Sequence, residues 1–265
     1  MDLELKGKHA LVTGGNRGIG LAIARALAAE GADVALVARD KAALDAARES
    51  IAADAGGAVI AVSADTGNDQ SVREMVAAVV AELGGVDILV NAAARPNTGA
   101  VIGITDFTAD DFSEQINVKV LGYLRCIREV VPHMRAAGWG RIVNVSGLAA
   151  RATGSVTGTV RNVAVAALTK NLADELGPDG INVTVVHPGM TVTEKTPEIL
   201  AGQAERAGVS VAEARRRAAA SVSIGRLVTA EEVASVVAFL ASPKSVAVNG
   251  DAIAVGGGAP GAIHY

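Results

Sequence analysis

"HALVTGGNRGIGLAIARALAAEG", residues 9–31, is the stretch that decides the fold. Its opening, "HALVTG" (9–14), is an aliphatic run short enough for a buried strand, and the residues from Arg17 onward repeat with helical spacing. Between them lies a glycine-rich turn. Gly14 permits a tight turn, while Gly18 and Gly20 let the backbone approach a pyrophosphate and let the helix pack on the sheet. The helix N-terminus then faces the phosphates. Glycines that serve only a turn are the bland alternative. A strand before, a helix after and a βαβ unit around them favour a dinucleotide site built from Gly14, Asn16, Arg17, Gly18, Ile19 and Gly20.

The alternation continues along the chain. Strands are expected at "DVALVAR" (33–39), "AVIAVSAD" (58–65), "VDILVNAA" (86–93), "GRIVNVSG" (140–147), "INVTVVHPG" (181–189) and "DAIAVGGG" (251–258). Helices are expected from Lys41 to about Ala53, Ser71 to Leu83, about Asp110 to Ala137, and on to Leu176. This pattern predicts right-handed βαβ units and one α/β domain spanning 1–265, a Rossmann-like, doubly wound parallel sheet. Residues 191–227 carry no strand signal. Ser210 and Glu213 there have capping-box spacing for a short helix. An insertion after the sixth strand lies at the carboxyl edge of the sheet, so the segment is expected to be a substrate lid, with a surface helix pair as the alternative. Arg215, Arg216 and Arg217 could attract an anion, although a solvated helix face explains them as well.

Composition agrees. Half of the 265 residues are hydrophobic, with one Trp, two Tyr and three Phe, as in parallel sheets covered by helices. A net charge of -4, with signs mixed, argues against nucleic acid. The single cysteine, Cys126, excludes an internal disulfide and a Cys-rich metal site. No apolar stretch is long enough for a membrane span, and the charged start "MDLELKGKHALVTG" is unlike a secretory signal. A cytoplasmic protein without a membrane or nucleic-acid partner is expected.

The end of the second strand bears on the choice of dinucleotide. A carboxylate there holds the ribose 2′-hydroxyl of NAD. This chain has Ala38 and Arg39 at that point, Asp40 comes later as a helix cap, and Arg17 lies in the glycine turn. Two guanidinium groups near a 2′-phosphate favour NADP(H) over NAD(H).

With these motifs in place, nearly the whole chain resembles the short-chain dehydrogenase/reductase family, of the kind that includes acyl-carrier-protein ketoreductases. The resemblance rests on "TGGNRGIG" (13–20), "SAD" (63–65), "NAAA" (91–94), "INVKVLG" with Asn117, "GRIVNVSG", "HPGMTVT" and "RLVTAEEVASVVAFLAS…VNGDAIAVGGG". It implies that Asp65 meets adenine and that Pro188, Gly189 and Thr193 lie beside the nicotinamide. Thr66, Asn91, Ala92 and Thr191 complete the implied cofactor set.

The family's reaction needs an Asn, a Ser, a Tyr acid/base and a Lys. Asn117 matches the first. The remaining positions fall on Gly147, Gly158 and Asn162. The chain's two tyrosines, Tyr123 and Tyr265, are elsewhere, and the lysine of "GSVTGTVRNVAVAALTK" is Lys170 at its far end. Ser146 precedes Gly147, but strand alternation should turn it to the other face. Gly158, Arg161 and Asn162 share one helix face. Asn162 could hold the ribose, and Arg161 could polarise a carbonyl, clamp a carboxylate or form an interface ion pair. His187 could relay protons or be structural; His133 is expected on a helix flank.

Two functions follow. One is an NADP(H)-dependent oxidoreductase acting on a small carbonyl or alcohol with atypical catalytic residues Asn117, Ser146, Arg161 and Asn162. The other is a non-redox protein on the same fold: a cofactor-binding pseudoenzyme or regulatory subunit, or a lyase or isomerase. The resemblance also implies a homo-oligomer, a dimer or tetramer. In such an assembly the tail "GGGAPGAIHY" could bring His264 and Tyr265 to a neighbour's site, a frayed terminus being the alternative.

Overall fold

The computed structural model describes residues 1–94 and 103–260. The strands are β1 (His9–Thr13), β2 (Asp33–Ala38), β3 (Val59–Ser63), β4 (Ile88–Asn91), β5 (Gly140–Val145), β6 (Ile181–Pro188), β7 (Thr191–Val192), β8 (Val228–Thr229) and β9 (Ala252–Val255). The helices are α1 (Gly18–Ala29), α2 (Lys41–Ala52), α3 (Asp69–Leu83), α4 (Ala109–Ile116), α5 (Gly122–Ala137), α6 (Val156–Leu176), α7 (Thr196–Ala207), α8 (Val211–Ala220) and α9 (Ala230–Ala241). Seven strands form one parallel sheet in the order β3-β2-β1-β4-β5-β6-β9. The direction of winding reverses between β1 and β4, which opens a crevice at their carboxyl ends.

Period-two alternation along the strands supplies both faces. Ala10, Val12, Leu36 and Val143 join a core with α1 and α9; Leu11, Val37, Leu89 and Ile142 join another with α3 and α5. A polar chain crosses the sheet: Asn91 Nδ2 donates to Asn144 Oδ1 at 3.0 Å, and Asn144 Nδ2 donates to Thr169 Oγ1 of α6 at 2.9 Å. It fixes the ends of β4 and β5 relative to α6.

Helix starts follow their caps. Asp40, Asn68, Thr108, Ser155, Ser210 and Thr229 each accept an amide of the following first turn. The Asn68 cap starts α3 at Asp69, two residues before the expected Ser71. The expected helix over 110–137 forms, with a π turn at Asn117–Leu121 between α4 and α5.

Residues 191–227 depart from expectation. Thr191 and Val192 pair in parallel with Val228 and Thr229, a ladder too short to leave a strand pattern in the sequence. Helix α7 precedes the expected α8. Ser210 caps α8, but the Glu213 carboxylate binds Arg216 and Arg217 instead of returning to the cap, so only half of the box forms. Arg216 and Arg217 are thereby explained as an exposed ion-paired face. Among the described residues no helix is long and apolar enough to cross a membrane.

A complete capping box does start α9, where Glu232 accepts the Thr229 N–H and also binds Arg226. The Arg226 guanidinium, and next the Thr229 amide, hold the Glu232 carboxyl down at about 2. A carboxylate depressed on folding contributes stability above its unfolded pKa and loses it as pH falls toward the folded value. Glu232→Gln should therefore lower the urea midpoint at pH 7, and its gap from the parent should narrow between about pH 5 and pH 3. A gap that stays constant over that range would mean that the carboxylate charge plays no part.

Candidate active site

The crevice between β1 and β4 is a cavity of about 790 Å³. Its floor is the glycine turn. Gly14 and Gly18 have φ of 69° and 54°, a left-handed backbone that favours glycine. The Gly14 and Gly15 amides both donate to the Val37 carbonyl, at 2.7 and 3.2 Å. A Cβ at Gly20 would sit 2.2 Å from the Gly14 carbonyl oxygen, so only glycine lets α1 start this close to the turn. Arg17 provides no side-chain cap to α1, and no acidic residue occupies its first turn. The first amides of α1 thus face the cavity with the positive end of the helix dipole and no internal acceptor, an arrangement suited to an anion. That geometry fits a dinucleotide pyrophosphate.

The cofactor residues expected from sequence mostly converge here. Asn16, Ile19, Arg39, Asp65, Thr66, Ala92, Gly189 and Thr193 line the cavity together with Arg17 and the turn glycines. Arg17 and Arg39 are exposed on its rim, with no carboxylate partner among the described residues. Asp40 is occupied as the α2 cap, accepting the Ala43 amide at 3.1 Å. Asp65 accepts the Gly67 amide at 2.9 Å. Four expected residues stand behind the lining, among them Asn162, which is buried and accepts the Ser146 hydroxyl. Asn91 is spent on Asn144, Pro188 ends β6, and buried Thr191 donates to the Gly189 carbonyl at 3.1 Å.

The wall expected to carry catalysis differs more from expectation. Asn117 turns away from it: its Nδ2 donates to the Gly67 carbonyl at 3.2 Å, and its Oδ1 accepts from Arg125 at 2.8 Å. The π turn instead carries Lys119 into the cavity, where Nζ donates to the Ser146 carbonyl at 3.0 Å. Sequence reasoning passed over Lys119; the available signal was a lone cation between Val118 and Val120 in a buried helical run.

Ser146 lies one residue beyond the end of β5, where strand alternation no longer governs direction. Its Oγ faces α6 and donates to the Asn162 carbonyl and Oδ1, at 3.1 and 3.2 Å. Arg161 is buried, lines the cavity and donates to Gln115. His187 is buried behind Gly147 and accepts its amide on Nδ1 at 3.4 Å. Burial, then the Arg151 and Lys119 charges, bring His187 down to about 4, so it is neutral at pH 7. Tyr123 is buried, with its hydroxyl donating to the Val145 carbonyl at 2.8 Å. Lys170 is exposed in an ion pair with Asp174, and His133 is on α5. The tail residues His264 and Tyr265 lie outside the described residues.

The family model described as enoyl-(acyl carrier protein) reductase matches residues 14–260. The chain is 37% identical to the short-chain reductase protein NovJ of Streptomyces niveus, over 95% of this chain and 93% of that protein. It is 32% identical to the 3-oxoacyl-[acyl-carrier-protein] reductase FabG of Vibrio cholerae, over 97% and 98%. Among solved structures, L-sorbose reductase of Gluconobacter frateurii, complexed with NADPH and L-sorbose, superposes with a TM-score of 0.91 at 30% identity, covering 99% of this chain and 100% of that one.

The turn itself is testable. Gly20→Ala forces backbone to move, and overpacking of this kind costs about 1–3 kcal/mol. A lower urea midpoint is the expected result; a midpoint equal to the parent's would show that α1 can shift without penalty.

Proposed function

The chain belongs to the short-chain dehydrogenase/reductase family, and we propose that it is an NADP(H)-dependent oxidoreductase for a small carbonyl or alcohol, working through an atypical catalytic wall. The observation that carries this reading is the uncapped α1 start opening onto a cavity whose rim holds Arg17 and Arg39. The α1 amides would hold the pyrophosphate, and Arg17 and Arg39 the 2′-phosphate of NADP(H). Asp65 and Thr66 would border adenine, and Asn91, held by Asn144 at the end of β4, would support the cavity from behind. Gly189 and Thr193, supported by Pro188 and Thr191, would border the nicotinamide, and Asn162 the adjoining ribose. When bound, the nicotinamide supplies or accepts a hydride.

Arg161 is suited to polarising the substrate oxygen. It is a cation in a low-dielectric wall, where fixed charge acts strongly on a developing oxyanion. Ser146 and Asn162 hold each other, which sets the surface against which a substrate packs. Helices α7 and α8 form the lid that excludes water during transfer. The protein is cytoplasmic and works as a homo-oligomer. Val156, Val160 and Val163 expose one apolar stripe of α6, and Leu121 and Leu124 expose another beside α5, surfaces that a second copy would bury.

A non-redox role on the same fold is the second reading. It is favoured by the occupied state of Tyr123 and Ser146, which leaves no phenol or free hydroxyl on the described catalytic wall. NADPH binding together with NADPH oxidation on a carbonyl panel supports the reductase. Binding with no oxidation supports the second reading.

Two further outcomes are expected. In calorimetric titrations NADPH should bind more tightly than NADH, and Arg39→Ala should weaken NADPH alone, by roughly 3- to 10-fold for one exposed charge-assisted contact. Equal affinities in the parent would overturn the NADP(H) assignment. Val160→Glu should reduce the mass measured by light scattering toward that of one chain; an unchanged mass would move the subunit contact elsewhere.

A further inference from the structure

Removal of the family's phenol and amine from α6 leaves the question of which group moves the proton. Lys119 enters the same cavity from the π turn between α4 and α5. It is 4% exposed, lines the cavity with Arg161 and Ser146, and donates to a neutral carbonyl, that of Ser146. Among the described residues no carboxylate lies within ion-pair distance of it. Its neighbours are spoken for. The Tyr123 hydroxyl is held by the Val145 carbonyl, and burial pushes the phenol well above its ordinary range. His187 is neutral and accepts the Gly147 amide. The Ser146 hydroxyl is held by Asn162. Arg161, though its pKa is lowered by burial, is a guanidinium and keeps its proton.

We propose that Lys119 is the catalytic acid/base of this site, its ε-ammonium giving a proton to the oxygen of a carbonyl substrate seated against Arg161. The proposal rests on the reductase reading above. In reduction, one N–H bond of the ammonium breaks and one O–H bond forms. The hydride supplied by the reduced dinucleotide makes the new C–H bond, and the carbonyl π pair moves to oxygen. An alcohol, the oxidised dinucleotide and a neutral amine result, and water returns the proton to the amine. Alcohol oxidation reverses each step.

Burial, and next the Arg161 charge, lower the Lys119 ammonium to about 7, within range of proton exchange at neutral pH. The groups around it are Arg161 from α6, His187 from β6 with Arg151 beyond it, and Tyr123 from α5, all cationic or neutral. Reduction needs the protonated amine, so its rate should be full below about pH 7 and fall above it, with oxidation showing the opposite limb.

The amine can be read without turnover. Competitive labelling of wild-type protein with acetic anhydride at graded pH, followed by peptide mass spectrometry, should show Lys119 titrating near 7; titration near 10 overturns the proposal. With NADPH and ethyl acetoacetate, diacetyl or L-sorbose as probes, Lys119→Met and Lys119→Arg should both lose roughly 10²- to 10⁴-fold in kcat. Both should keep NADPH affinity within about 2-fold, since the proposal gives Lys119 no part in cofactor binding. Lys119→Arg at near-parent kcat would reduce Lys119 to a fixed charge, and a large loss of NADPH affinity in Lys119→Met would make it a ribose holder; either result overturns the proposal. Wild-type protein that binds NADPH but oxidises it with none of the probes overturns the reductase reading instead, and the labelling still decides whether Lys119 is a proton carrier.

Discussion

The contact between the first turn of α1 and the Gly14 carbonyl is the constraint on which the site is built. It requires the absence of a side chain at Gly20 and a left-handed backbone at Gly14. A side chain at Gly14 would also press on the Ala92 carbonyl and the Ala93 amide, 3.0 Å from its Cβ. Three elements therefore meet with backbone against backbone: the end of β1, the end of β4 and the start of α1. The Val37 carbonyl ties the turn to β2 as well. With the turn so fixed, α1 has one direction open to it, and α9 packs along it. The first amides of α1 are aimed into the crevice by that same direction.

The cavity has two electrostatic regions with different causes. Around α1 the field comes from peptide dipoles and the exposed cations Arg17 and Arg39, which water screens until a ligand covers them. On the α6 side it comes from Lys119 and Arg161, both mostly removed from water, where the same charges act over a longer distance. Two buried cations in one wall disfavour each other. The molecule reduces that cost by making one of them a lysine, which can lose its charge, and the other an arginine, which cannot.

The sheet was legible because its strands are aliphatic runs bounded by glycine and polar residues, and the phosphate turn because its glycines have steric reasons that do not depend on distant parts of the chain. Asp40 was legible as a cap for a similar reason: its partner, the Ala43 amide, is three residues away. The catalytic wall was less so. Asn117 and Lys119 are two residues apart, and which of them reaches the cavity depends on a π turn that leaves no mark in local spacing. Ser146 was expected to face away because strand alternation was carried one residue past the end of β5. The β7–β8 ladder escaped notice because two-residue strands have no period, and α7 was covered only by the surface helix pair of the alternative reading, since its buried face holds no more than Thr196, Leu200 and Ala204. The errors lie where tertiary packing, not local pattern, chooses the direction of a side chain.

The π turn also bears on how such a site diverges. A residue added to or removed from a helix turns everything beyond it by about 100° relative to its neighbours. A five-residue π turn confines that rotation, so α4 and α5 keep their packing while the side chains between them are exchanged at the cavity wall. A single insertion or deletion can thus replace an amide by an amine in the wall and leave the core, the sheet and the phosphate turn untouched. Which of Asn117 and Lys119 meets a ligand is thus set by helical phase, a variable that the identity of the residues does not record.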